Sequence, residues 1–204
     1  MDAFSSSEEK IFKAAIDLFC ENGFDGTKMQ AIADKAGISK ASLHYYFRSK
    51  DRLFKKVVQN LLSMLITNVT GEIKEDTCIE ELLQKLISGY FDMFRKFRKQ
   101  TFFVFAELVK HQKLLADIIQ GIDKIAVIQE ILLRLQKERE KGTIIAIAPE
   151  DLIINIIAMC IYPLMAEPMI KLIMSMSDNE FEQLLNRRKQ VVTDFTLRAI
   201  LVRS

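Results

Sequence analysis

The sequence is short of the residues on which most enzymes and most secreted folds depend. Among 204 residues there are only two histidines, three cysteines, seven glycines and three prolines. Cys20, Cys78 and Cys160 are odd in number and far apart, so neither a disulfide framework nor a metal-ligand spacing is present. Each lies among apolar neighbours, which suits a buried thiol. There is no glycine-rich phosphate loop and no nucleophile motif, so the expectation is a protein that is not an enzyme and needs no metal or cofactor. Few turn-formers alongside many Ile, Leu, Lys and Glu point to an all-α protein.

Long uncharged apolar runs are missing too. Residues 144–172 come closest to the roughly 18–20 residues that span a bilayer, but Glu150, Asp151, Glu167 and three prolines interrupt them. The opening MDAFSSSEEK is polar and acidic, unlike a signal peptide. A cytoplasmic protein with no membrane partner is expected.

What the chain does have is a dense stretch at residues 27–47, TKMQAIADKAGISKASLHYYF. It reads as two short helices joined by a tight turn. Thr27 can cap the first by accepting a backbone N–H bond. Met29, Ile32, Ala33 and Ala36 fall on one face, Gly37 supplies a left-handed helix end, and Ser39 can cap the second helix. Leu43 and Phe47 continue the apolar side. Lys40, Ser42, His44, Tyr45 and Tyr46 are left on the other, as donors and flat rings. A helical hairpin with a solvated face would account for the pattern. A helix-turn-helix accounts for it better, because water-facing surfaces seldom carry His-Tyr-Tyr beside lysines without a partner. Net charge is only +2, yet residues 40–56 hold Lys40, Arg48, Lys50, Arg52, Lys55 and Lys56 against a single acid, Asp51. Such local charge is a footprint for phosphate.

Residues 23–54 resemble the DNA-binding signature of the tetracycline-repressor (TetR/AcrR) family of bacterial regulators. The resemblance is carried by Gly23-Phe24, Thr27, Ile32-Ala33, Ala36-Gly37-Ile38-Ser39, Leu43-His44-Tyr45-Tyr46-Phe47, Lys50 and Leu53-Phe54. Two positions depart from the family pattern: His44 stands where Tyr is usual, and Lys28 where Thr or Ser is frequent. The resemblance implies a DNA-binding set of Thr27, Lys28, Gln30, Ser39, Lys40, Ser42, His44, Tyr45, Tyr46 and Lys50. In that set Lys40 and Ser42 face bases, with Gln30 a weaker candidate. Thr27, Lys28, His44, Tyr45, Tyr46 and Lys50 hold the phosphate backbone.

The rest of the chain is read as about nine helices in all. A first helix from Ser6 or Ser7 carries Ile11, Ala14, Ala15, Leu18 and Phe19 on one stripe and ends at Asn22-Gly23. It completes a three-helix DNA-binding domain over residues 1–50. Phe4 and Phe12 fall off that stripe. Ser49 can cap a helix to about Thr70. Residues 51–204 form a helical bundle for ligand binding and dimerisation, with helices at about 77–99, 113–141, 149–164 and from Ser177 onward. Phe91, Phe94, Phe102, Phe103, Phe105, His111, Met159 and Tyr162 are candidates to line an apolar cavity. Ordinary core packing, and for His111 a structural hydrogen bond, are the plainer alternatives. Ile153, Ile157, Leu164, Leu184, Val191 and Phe195 are candidates for a homodimer interface.

Together these imply a ligand-responsive regulator, most simply a repressor. It would bind a palindromic operator in double-stranded DNA as a homodimer, and a small hydrophobic effector would release it. The alternative is a DNA-binding protein whose bundle docks another protein and senses no metabolite.

Overall fold

The computed structural model describes residues 6–122 and 124–202, without the side chains of residues 6 and 112–115. Phe4 and the expected cap at Ser6 lie outside that description. The described residues form eleven helices, joined by turns and one isolated antiparallel bridge between Ile144 and Leu201. The chain divides into two compact units, Met1–Met64 with Arg98–Asp123, and Leu65–Phe97 with Lys124–Ser204.

The first unit contains α1 (Ser6–Gly26), α2 (Met29–Ala36), α3 (Lys40–Tyr46), most of α4 (Lys50–Thr70), α6 (Arg98–Lys110) and α7 (Gln112–Gln120). The apolar spacing of α1 puts Ile11, Ala14, Ala15 and Phe19 inside, beside Ile32, Leu43, Leu53 and Phe54. Phe12, off that stripe, is also buried and meets Phe47 edge-on, with ring centroids 5.6 Å apart. Burying each of the isoleucine, leucine and phenylalanine side chains stabilises the unit by roughly 1.5–3 kcal/mol, and each alanine by less.

The second unit contains α5 (Ile79–Lys96), α8 (Ile125–Glu140), α9 (Pro149–Met165), α10 (Glu167–Ile173) and α11 (Asp178–Ile200). Helix α5 is the clearest amphipath, burying Leu82, Leu83, Leu86, Ile87, Phe91 and Phe94 against α9 and α11. Ser177 opens α11 with a reciprocal capping box to Glu180. Arg134 of α8 donates to the carbonyls of Lys74 and Thr77, closing the loop before α5.

Three expectations need correction here. The helix read as continuous over about 113–141 is two, because Gly121 caps α7 and α8 restarts at Ile125. Cys78 is exposed, because it is the residue just before α5 and not part of its packed face, whereas Cys160 is fully buried and Cys20 partly so. Leu164, offered as an interface residue, is buried within its own unit. The apolar residues of α9 and α11 sort onto two faces. On α11, Phe181, Leu185, Val192 and Ile200 point inward while Val191 and Phe195 are exposed. On α9, Leu152, Ile156 and Cys160 are buried while Ile154 and Tyr162 are exposed.

Candidate nucleic-acid interface

Helices α2 and α3 are built by short-range chemistry. At the end of α2, Gly37 adopts φ 68° and ψ 34°, a left-handed conformation that lets the N–H of Ile38 bond back to the Ala33 carbonyl at 3.1 Å. The extended Ser39 then starts α3, and its hydroxyl accepts from the Ser42 N–H at 3.0 Å. Ser49 repeats the device for α4, accepting from the Arg52 N–H at 3.2 Å. These serines match their expected capping roles.

Thr27 does not. It is 2% exposed, and its hydroxyl donates to the carbonyls of Leu18 at 3.0 Å and Gly23 at 2.8 Å. A threonine hydroxyl can donate or accept; here carbonyls in the last turns of α1 accept the bond, that of Leu18 shared with the Asn22 amide, and Lys28 occupies the α2 cap position without a side-chain bond. Thr27 therefore holds α1 to the start of α2, and its side chain is not open to phosphate.

The inner face of α3 is Leu43, fully buried, and the residue closing it, Phe47, is nearly so. The outer face is open. Ser39, Lys40 and His44 are exposed, Ser42 and Tyr46 partly so, and Tyr45 is 84% exposed. The Tyr45 and Tyr46 rings lie edge to face, 5.6 Å between centroids. On α2, Lys28 and Gln30 are exposed, and the Gln30 amide donates to Asp34 at 2.8 Å, which fixes its direction. Lys50 is only partly exposed. Its ammonium sits 4.4 Å from the centre of the Phe24 ring and donates to the Asp25 carbonyl at 3.3 Å. Sequence reading could not join Lys50 to a turn 25 residues earlier. Of the remaining basic cluster, Lys55 pairs with Asp117 of α7 at 3.2 Å, while Arg48, Arg52 and Lys56 are exposed.

The expected cavity residues fall in different units. Phe91, Phe94, Met159 and Tyr162 belong to the second, where the two phenylalanines are core and Tyr162 is exposed. Phe102, Phe103, Phe105 and His111 belong to the first. Phe103 packs between Phe19 and Phe54, at 6.2 and 6.1 Å, so it serves the core of the first unit. His111 lies against Phe24 and Phe54 and pairs with the buried Glu107. Burial pushes the Cys160 thiol up to about 12, and burial with Asp17 and Glu21 nearby pushes Cys20 up to about 11, so both are poor nucleophiles. Among the described residues no cluster of metal-ligating side chains comes together, and no single helix is long and apolar enough to cross a membrane.

A short capped helix, anchored inside and bearing donors and rings outside, behind a three-residue turn, defines a helix-turn-helix DNA-binding head. Comparison with known proteins agrees. Residues 11–57 match the model for bacterial regulatory proteins of the tetR family. The HTH-type transcriptional regulator RutR of Escherichia coli K12 is 30% identical over 154 residues, covering 76% of this chain and 72% of RutR. The biofilm operon negative regulator IcaR of Staphylococcus epidermidis is 33% identical over 92 residues, 45% of this chain and 50% of IcaR. The structure of SCO4942 from Streptomyces coelicolor superposes with a TM-score of 0.74 at 19% identity, covering 96% of this chain and 98% of that one. The fatty acid degradation regulator FadR from Bacillus halodurans gives a TM-score of 0.67 at 16% identity, over 94% and 97%. The chain belongs to the TetR family and is a transcriptional regulator.

Proposed function

We propose that the protein is a homodimeric repressor that binds a palindromic operator through α3 and is released by a small apolar effector. The observation that carries this reading is the outer face of α3, where Lys40, His44 and Tyr45 stand free while Leu43 is fully buried beneath them. A helix of this kind enters the major groove with its first turn nearest the bases. Lys40 and Ser42 are assigned to base edges, and Lys is suited to guanine O6 and N7. Lys28, His44, Tyr45 and Tyr46 are assigned to the phosphate backbone, while Gln30 stays a secondary candidate for base edges. Ser39 contributes as the cap that orients the first turn, and Lys50 chiefly by securing Phe24 and the turn before α2.

The homodimer reading is supported by the outer apolar stripe of α11, Leu184, Val191 and Phe195, and by Ile153 and Ile157 on α9. Phe195 is 63% exposed in the protomer, an unfavourable position for a lone phenylalanine unless a second copy covers it. Two heads related by a twofold axis meet half-sites one helical turn apart, about 34–36 Å. The effector reading is supported by the apolar helices of the second unit, and any effector acts only by binding two conformations unequally. IcaR, a negative regulator by name, supports repression. The protein is assigned to the cytoplasm, where its operator is.

Genomic footprinting of the purified protein tests the reading. It should recover an inverted repeat with half-sites spaced by one turn. Protection without sequence preference, or at isolated half-sites only, would contradict it.

A further inference from the structure

Exposed apolar side chains crowd the point where α9 gives way to α10. Met165, Met169, Leu172, Ile173 and Met174 all face solvent, Leu172 at 81% and Ile173 at 71% exposure. Helix α10 is seven residues long, and none of them is buried. A helix that short is marginal by itself, so its surroundings must hold it. Two features do. Pro168, in its first turn, has no N–H to continue the ladder of α9, and the two helices part at 71°. Lys171 then ties α10 to α11: its ammonium lies 2.5 Å from Glu167, 2.8 Å from Asp178 and 5.4 Å from the centre of the Phe181 ring. Met169, Leu172 and Ile173, spaced by three and four, share the opposite side of the helix from Lys171. Met165, the last residue of α9, joins that side to the exposed face of α9, on which Ile154, Ala158 and Tyr162 recur every fourth residue.

We propose that α10 is a self-association arm, whose Met169, Leu172 and Ile173 face lies against a second copy of this chain and extends the interface carried by α9 and α11. The proposal deepens the homodimer reading above and rests on it. Area points to a second copy. Covering a side chain of this size removes roughly 100 Å² from water, whereas each partner in a stable interface contributes about 800 Å². Ile154 and Tyr162 on α9 with Val191 and Phe195 on α11 supply about half of that. Met165, Met169, Leu172 and Ile173 supply about the other half. Charge points away from a lipid surface, which is met by free cations around an apolar face. Lys171 is the one cation on α10, and two carboxylates hold it. Methionine, with its flexible thioether, suits a face that must fit a facing surface closely.

The test is sedimentation of the full-length protein over a dilution series, with peroxide oxidation of its methionines read by mass spectrometry at the same concentrations. The wild type should form a dimer. Leu172→Glu should raise its dissociation constant about tenfold or more, with helical content unchanged because the side chain is exposed in the protomer. In the wild type, Met165 and Met169 should oxidise several-fold more slowly in the dimer than after dilution to monomer, while Met174, off that face, reacts alike in both. A dimer that Leu172→Glu leaves unchanged, or in which Met169 is as reactive as in the monomer, would overturn the arm and leave the homodimer reading standing. Protection of Met169 by anionic phospholipid vesicles, and not by dimerisation, would overturn it in favour of a membrane surface. A wild type that stays monomeric at every concentration would remove the homodimer reading and the proposal together.

Discussion

Helices α3 and α11 each carry an inner and an outer face, and their inner faces are alike. Leu43 under α3 and Phe181, Leu185 and Val192 under α11 are buried aliphatic or aromatic side chains that fix a helix to its unit. The outer faces differ in kind. That of α3 offers hydroxyls, an ammonium and an imidazole around exposed tyrosine. That of α11 offers Val191 and Phe195 one turn apart, with the charged Asp194 and Arg198 at their margin. Both expose aromatic rings to solvent, so exposure alone does not say what a surface is for. The arrangement of the neighbours does: donors on the same turn as the rings suit phosphate and base edges, and adjacent apolar side chains with charges at their margin suit a matching apolar surface with a polar rim.

The contrast can be broken most forcefully from the inside. Leu43→Ala removes a fully buried side chain and should destabilise the first unit by about 2–5 kcal/mol in denaturant unfolding. A loss below about 1 kcal/mol would show that α3 is not anchored as described. Phe195→Glu leaves the protomer folded but should weaken self-association by at least about 2 kcal/mol, roughly thirtyfold. Sedimentation showing an unchanged dimer would move the interface elsewhere. Ser39→Ala should remove about 0.5–2 kcal/mol of stability through the lost cap, with no effect on association. The smallest effect is chemical. At neutral pH a thiol reagent should modify Cys78 well before Cys20 or Cys160, whose thiols burial protects. Equal labelling of all three in the native protein would contradict the burial of the other two.

Much of the head was legible because its determinants are local. Gly37, Ser39 and Ser49 act on backbone groups within three or four residues, and that chemistry reads directly from sequence. Thr27 was misjudged because a hydroxyl works in either direction, and the carbonyls it serves belong to the preceding helix. Phe12 gained its partner, Phe47, only through the fold. Glu107 looked like any acid on an amphipathic helix. Its carboxylate lies against Gly23, 84 positions earlier, and no periodicity carries that relation. In the second unit, apolar spacing identified the helices but not which apolar residues face inward, so Leu164 and Val191 looked equivalent and only one is exposed.

The most direct test is the affinity ratio between operator and random duplex for the wild type and for Lys40→Ala, measured at one salt concentration. If the outer face of α3 reads bases, the variant should lose about 1–3 kcal/mol on the operator and little on random DNA, so the ratio collapses. An equal loss on both duplexes would assign Lys40 to phosphate alone and contradict the placement of α3 in the groove.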